Sequence, residues 1–264
     1  MWCYDPLLSL LESYGYCIIR LPKADVKPLQ ILLKQGKDLD RIGELTTLLQ
    51  NGSTIPLPQI IENVSAANIS GQRTGNLKIG IGVSLLSGIL SAMGGLSVGL
   101  ETKYRQARTL AFEFHDVLED RVEIAKIDQY LADADLNPFS RYLSVLLEAD
   151  QLYITTATIK SHKFTVEAKK SDGGTLALSI PEIQNTVGGN VKVSSQLDTT
   201  SRITYEGNTS LVFGFRAIQL FYNQGRYTAF EPLSGLAMRH GNPVSNTSAK
   251  RLTSEGPFLH LRDE

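Results

Sequence analysis

Almost nothing in this chain is spaced for catalysis. His115, His162, His240 and His260 stand in no metal-ligand spacing with one another, with a cysteine or with a carboxylate pair. HExxH, Walker and CxxC patterns are absent. Gly80-x-Gly82 lacks the third glycine of a dinucleotide fingerprint and the helix such a motif should open. The chain therefore reads as no enzyme, with no metal and no cofactor. Cys3 is the one residue suited to covalent modification. A cysteine is a usual acyl acceptor, and Trp2, Tyr4, Leu7 and Leu8 surround it with apolar surface. One palmitoyl chain would contribute about 10 kcal/mol of transfer free energy, at about 0.8 kcal/mol per methylene. The plain alternative is a small apolar residue beside a helix start.

The second chemistry is membrane insertion. Ile79–Leu100 is a run of 22 residues without a charge, containing six glycines and four serines. Its apolar residues alternate at both ends, through Leu77, Ile79, Ile81, Val83 and Leu85, then Leu96, Val98 and Leu100. A period of two belongs to strands, and two strands of about 9–11 residues make a transmembrane β-hairpin. A membrane helix fits less well, because each glycine costs roughly 1 kcal/mol of helix propensity. A buried two-stranded core segment and a glycine-rich helical hairpin are the other readings. A second alternating stretch carries Leu176, Leu178, Val191, Val193 and Leu197.

The elements that must position these segments are mixed. Pro6 opens a short helix that Gly15 ends, and Tyr16–Leu21 is a strand stopped by Pro22. Leu29–Leu33 is strand or helix, and Leu39, Ile42, Leu45, Leu48 and Leu49 suggest a helix. Val122–Ala134 has helical spacing, and Asn137-Pro138 opens a helix with Phe139, Tyr142, Leu143, Leu146 and Leu147 on one face. Strand signals dominate from Gln151 to Gln219, with turns at Asp172-Gly173-Gly174 and Glu206-Gly207-Asn208. Without regular βαβ alternation the fold class is α+β, a twisted, largely antiparallel sheet with surrounding helices.

A net charge of -1 in 264 residues gives no pull toward nucleic acid. The N-terminus is no secretory signal, which places the resting protein in the cytoplasm. Two cysteines make no disulfide framework. Residues 1–239 form the folded body. Residues 240–264 form a tail whose polar stretch, His240–Gly256, is protease-accessible and whose end regains Phe258, Leu259 and Leu261. Docking those three side chains would contribute roughly 5–9 kcal/mol before ordering costs, at about 1.5–3 kcal/mol each. Lys160, Lys163, Lys169, Lys170 and Lys192 are a solvated sheet face or a contact for anionic headgroups.

Near-terminal Cys3, Tyr16–Leu33 (YCIIRLPKADVKPLQILL), the glycine-rich alternating region and Leu110–Val117 (LAFEFHDV) together resemble the gasdermins, specifically the short bacterial ones. The resemblance spans essentially the whole chain. It implies a pore-forming death effector in anti-phage defence, built on a twisted antiparallel sheet. A short tail would hold an inactive cytoplasmic monomer until a caspase-like or trypsin-like protease cuts it. The freed protein would contact membrane lipids and assemble a large homo-oligomeric pore in the cell inner membrane. A palmitoyl group on Cys3 is also implied. The cut would fall within Gly241–Gly256, where Asn246, Thr247, Lys250, Arg251 and Leu252 are candidates. The competing expectation is a soluble α+β lipid-carrying or protein-binding module.

Overall fold

The computed structural model describes residues 6–35, 38–50, 54–195, 201–232 and 260–263. The first element is α1 (Pro6–Ser13), ended by Gly15 in the left-handed conformation at φ 77°. Strand β1 (Cys17–Lys23) continues through Pro22 instead of stopping there. Its register against its neighbour shifts between Ile18 and Lys23, and a proline without an amide is tolerated at such an irregularity. Leu29–Leu33 falls in a strand, β2 (Gln30–Gln35). The helix expected over Leu39–Leu49 is instead β3 (Asp38–Glu44), a single turn α2 (Leu45–Leu48) and β4 (Leu49–Gln50). Two cores share these leucines: Leu39 enters one, and Leu45, Leu48 and Leu49 enter another. Pairing with β2 outweighs the helical spacing.

Next come β5 (Ile61–Ser65), β6 (Leu77–Lys78), α3 (Ile79–Ala92), α4 (Leu100–Tyr104), β7 (Thr109–His115) and β8 (Leu118–Arg121). Helix α5 (Ile124–Asp133) buries Ile127, Tyr130 and Leu131, as its spacing predicts. After β9 (Asp135–Leu136), helix α6 (Arg141–Glu148) buries Leu146 and Leu147. Phe139 and Tyr142, expected on the same face, are 92% and 62% exposed. Phe139 precedes the helix, whose entry is fixed by hydrogen bonds from Asn137 Nδ2 and Ser140 Oγ to the Thr47 carbonyl. Strand β10 (Leu152–Lys169), helix α7 (Ile180–Val187) and strands β11 (Val191–Ser195), β12 (Arg202–Asn223), β13 (Arg226–Pro232) and β14 (His260–Asp263) complete the order. No turn forms at Glu206-Gly207-Asn208; β12 runs through it, with Glu206 paired to Lys163 and Gly207 to Val191.

Among the described residues twelve strands share one sheet, along the path β1-β12-β10-β2-β3-β14. The antiparallel β10–β12 pair is its spine. Each spine strand is flanked in series, β10 by β2, β8 and β7, and β12 by β13, β1 and β11. All pairings are antiparallel except β14, which lies parallel to β3. The two ends of the path, β1 and β14, come within 8 Å between Cα atoms, so this part of the sheet curls back on itself. Around Leu39, Ile19, Leu32 and Phe215 it encloses a small core of its own.

Candidate functional site

From Ile79 to Ala92 the uncharged run is helix α3 instead of a strand, so Gly80-x-Gly82 does open a helix, and residues 93–99 form a non-helical connection. Its residues satisfy two periods at once. Leu77, Ile79, Ile81, Val83 and Leu85 alternate, while Gly82, Val83, Leu85, Leu86, Ile89 and Leu90 form the stripe that α3 buries. The helix is stabilised from outside itself. Gly80, Gly82 and Gly88 each cost roughly 1 kcal/mol against alanine, and tertiary packing must supply the difference. Gly82 is placed for that packing: a Cβ there would lie 2.9 Å from Leu110 Cβ on β7, so only glycine lets α3 approach this closely.

The second alternating stretch lies beside the first. Leu176 and Leu178 are buried at 5% and 7% exposure, but they sit in an irregular segment ahead of α7, not in a strand. Val191 and Val193 are buried on β11; Leu197 lies outside the described residues. Several contacts join the two segments. The Leu96 amide donates to the Val187 carbonyl at 2.8 Å, Asn190 Nδ2 donates to the Gly94 carbonyl at 2.8 Å, and Lys103 pairs with Glu182 at 2.6 Å. Gly95 permits the approach, since its Cβ would stand 2.9 Å from Val191 Cγ2. Below them, the buried hydroxyls of Tyr104 on α4 and Tyr205 on β12 share a hydrogen bond of 2.7 Å.

The sheet under these segments has two unlike faces. Phe112, Phe164 and Tyr205 stack at 6.4 and 5.2 Å between centroids, and Phe114 stacks on Phe213 at 4.1 Å. These rings share one core with α3, α4, α7 and β11. The alternate positions carry Glu113, His115, Thr165, Glu167, Arg202 and Thr204. There Arg202 binds Glu113, Arg73 pairs with Glu167 at 2.8 Å, and Thr165 bonds His115 and Thr204 at 2.8 Å each. The strands are thus apolar on one side and polar on the other before any rearrangement.

Of the predicted insertion residues, Leu77, Val83, Leu85 and Leu100 are buried, and Ile79 and Ile81 half-buried. Leu96 and Val98 are 60% and 86% exposed, in a turn held by backbone hydrogen bonds from the Leu96 amide to the Val187 carbonyl and from the Leu100 amide to the Ser97 carbonyl. Lys160 is only 18% exposed, and its Nζ pairs with Asp120 at 2.5 Å instead of standing on an open solvated face. Leu261 lies on β14, opposite Leu39. Cys3, Asn246, Thr247, Lys250, Arg251, Leu252, Phe258 and Leu259 lie outside the described residues. Among the described residues no helix is long and apolar enough to cross a membrane.

One constellation has no counterpart in the sequence reading. The Tyr16 hydroxyl donates to Glu119, the Arg216 guanidinium sits 4.1 Å over the Tyr16 ring, and Arg216 Nη2 donates to the Tyr14 carbonyl at 2.8 Å. It ties the end of α1 to β8 and β12 across separations of 103 and 202 residues, which no local pattern reveals.

Residues 19–226 match the model of the Bacterial Gasdermin Family. The chain belongs to the bacterial gasdermins. It is 59% identical over 263 residues to a gasdermin of a Desulfuromonadales bacterium, covering 99% of each chain. It is 38% identical over 264 residues to a gasdermin of Vitiosangium sp. (strain GDMCC 1.1324), covering 98% of each. The solved structure of a bacterial gasdermin from Bradyrhizobium tropiciagri shares its fold at 14% identity, with a TM-score of 0.59 over 98% of this chain and 97% of that one. The α+β class and the largely antiparallel sheet expected from the sequence are those of the fold it shares with that bacterial gasdermin.

Proposed function

We propose that this gasdermin is a resting pore former, activated by proteolytic loss of residues 240–264. The observation that carries the reading is α3, a glycine-burdened helix that also bears a strand's alternation and is stored against a two-faced sheet. On release, residues 77–104 and 170–195 convert to strands that continue the sheet, with apolar residues toward lipid and polar ones toward a lumen. In the bilayer every amide needs a partner, so an isolated hairpin cannot span, whereas a closed barrel of many copies can. The pore is therefore a large homo-oligomer, placed in the cell inner membrane and serving death of the phage-infected cell.

The strength of the restraint suits a tail. A four-residue parallel strand contributes only about 0.5–1.5 kcal/mol net per hydrogen bond. A tether holds it at an effective concentration on the order of millimolar; a cut removes that advantage and the fragment leaves. The cut lies within Gly241–Gly256, by a caspase-like protease or, at Lys250-Arg251-Leu252, a trypsin-like one. Cys3 is the proposed palmitoyl acceptor. Burial pushes the Cys17 thiol up to about 12, with Glu12 adding to the shift, so that sulfur stays protonated and unreactive at neutral pH.

The test is dye leakage. With a protease site placed in 241–256, cutting in the presence of loaded vesicles of bacterial lipid should release dye and produce oligomers. Intact vesicles after complete cutting refute the proposal.

A further inference from the structure

The ladders of the resting sheet fix which positions share its polar face. On β7 and β10 these are the odd ones, with Glu113 opposite Thr165 and Thr109 opposite Lys169. Lys78 on β6 also stands opposite Thr109. On β11 they are the even ones, with Lys192 opposite Glu206 and Ser194 opposite Thr204, which itself faces Thr165. No register shift falls among these pairs. Side chains alternate between faces along a strand, so the face of every residue in an unbroken continuation follows from its number.

Carried through the converting segments, the polar parity takes Glu101, Lys103 and Arg105 on the strand that returns to β7. The apolar parity takes Leu176, Leu178, Val191 and Val193. Its charges are Arg108, Lys170 and Asp172, within three residues of the fixed ladder, and Glu182. Between those limits every charge lies on the polar face. A helix such as α4, with its period of 3.6, has no use for that segregation, whereas a membrane-spanning strand requires it. The signs are uneven: Lys78, Lys103, Arg105, Lys169 and Lys192 stand against Glu101 alone. None of the six is buried. At rest Lys103 Nζ is neutralised by Glu182 at 2.6 Å. In the extended register Lys103 aligns with Thr175, seven residues short of Glu182, or roughly 23 Å at about 3.3 Å per residue. Conversion therefore strips this cation of its partner.

We infer that the lumen wall is basic and that the pore passes small anions in preference to cations, with Lys103, Arg105 and Lys192 setting the preference. This rests on the pore reading proposed above and names the class of solute that such a pore favours. Repeated in every copy, the same side chains make rings of positive charge around the lumen. Their influence reaches into the fluid over about one Debye length, about 30 Å at 0.01 M salt and about 3 Å at 1 M. A wide lumen is thus selective in dilute salt and not in concentrated salt.

Reversal potentials test it. The full-length chain, with a protease site in 241–256, is cut beside planar bilayers of bacterial lipid under a gradient of potassium chloride. The chloride-to-potassium permeability ratio should be about 2 or more near 0.01 M and should fall toward 1 near 1 M. The double variant R105E/K192E should bring the dilute-salt ratio to about 1, and K103E/R105E/K192E should take it below 1. Lys126→Glu, on α5 and outside the converting segments, should keep the parental ratio. A parental ratio at or below 1 in dilute salt, or a triple variant that keeps the parental preference, overturns the inference. Should the variants fail to conduct, the salt series of the parent decides alone, a ratio that does not fall with salt overturning it. Current without chloride preference sinks the basic lumen only, whereas no current after complete cutting sinks the pore reading and the lumen with it.

Discussion

Alanine at Gly80 and at Gly82 should move this protein in opposite directions, although both residues lie in α3 within one turn. At Gly80 a Cβ meets nothing within 4 Å, so alanine adds only helix propensity, about 0.5–1 kcal/mol near a helix start. At Gly82 the same Cβ lies 2.9 Å from Leu110 Cβ and 3.1 Å from its Cγ and Cδ1. Overpacking there costs about 1–3 kcal/mol against a propensity gain of about 1 kcal/mol, leaving a net loss of up to about 2 kcal/mol. Thermal unfolding converts these to roughly 2–4 °C per kcal/mol, upward for Gly80→Ala and downward for Gly82→Ala. If α3 must unwind to make the pore, vesicle leakage after tail cutting follows the same signs. Gly80→Ala slows it by up to about fivefold and Gly82→Ala speeds it by up to roughly thirtyfold, at 1.36 kcal/mol per tenfold. Equal upward shifts in Tm would refute the close approach of α3 to Leu110. Opposite Tm shifts with unchanged leakage rates would refute the unwinding step.

Tyr104→Phe leaves the Tyr205 hydroxyl buried without its partner and should cost about 1–3 kcal/mol in urea unfolding; the double change to phenylalanine should recover most of that loss. Val98→Arg, at a position 86% exposed, should leave stability within about 0.5 kcal/mol yet abolish leakage, because an arginine on the lipid face costs up to about 2–4 kcal/mol per copy. Intact mass of protein expressed in bacteria should show an acyl adduct that Cys3→Ala removes and Cys17→Ala keeps.

Much of this arrangement was legible in the residues, and the failures have physical causes. The strands around Phe164 and Leu211–Ala217 announce themselves by alternating apolar residues, although the intervening Thr165 and Val212 are buried as well. The helices at 124–133 and 141–148 do so by their leucine and tyrosine spacing. The uncharged run carries a strand's period of two, yet forms α3 because Gly82 permits contact with Leu110, a nonlocal fact. The helix expected over Leu39–Leu49 lost to pairing with β2. Of the candidate site, the packing of 93–104 against 182–191 depends on contacts made across some ninety residues of sequence. The latch of Tyr16, Glu119 and Arg216 is equally nonlocal.

The apolar interior is partitioned in a telling way. The core beneath α3, α4, α7 and β11 draws on the far halves of β10 and β12, while two other clusters, around Leu147 and Ile31 and around Leu39 and Phe215, occupy the near halves. On the conversion proposed above, the first compartment would empty while the other two kept their packing, so the change of shape would need no passage through a denatured state: a chassis would stay assembled while a cargo bay unloaded.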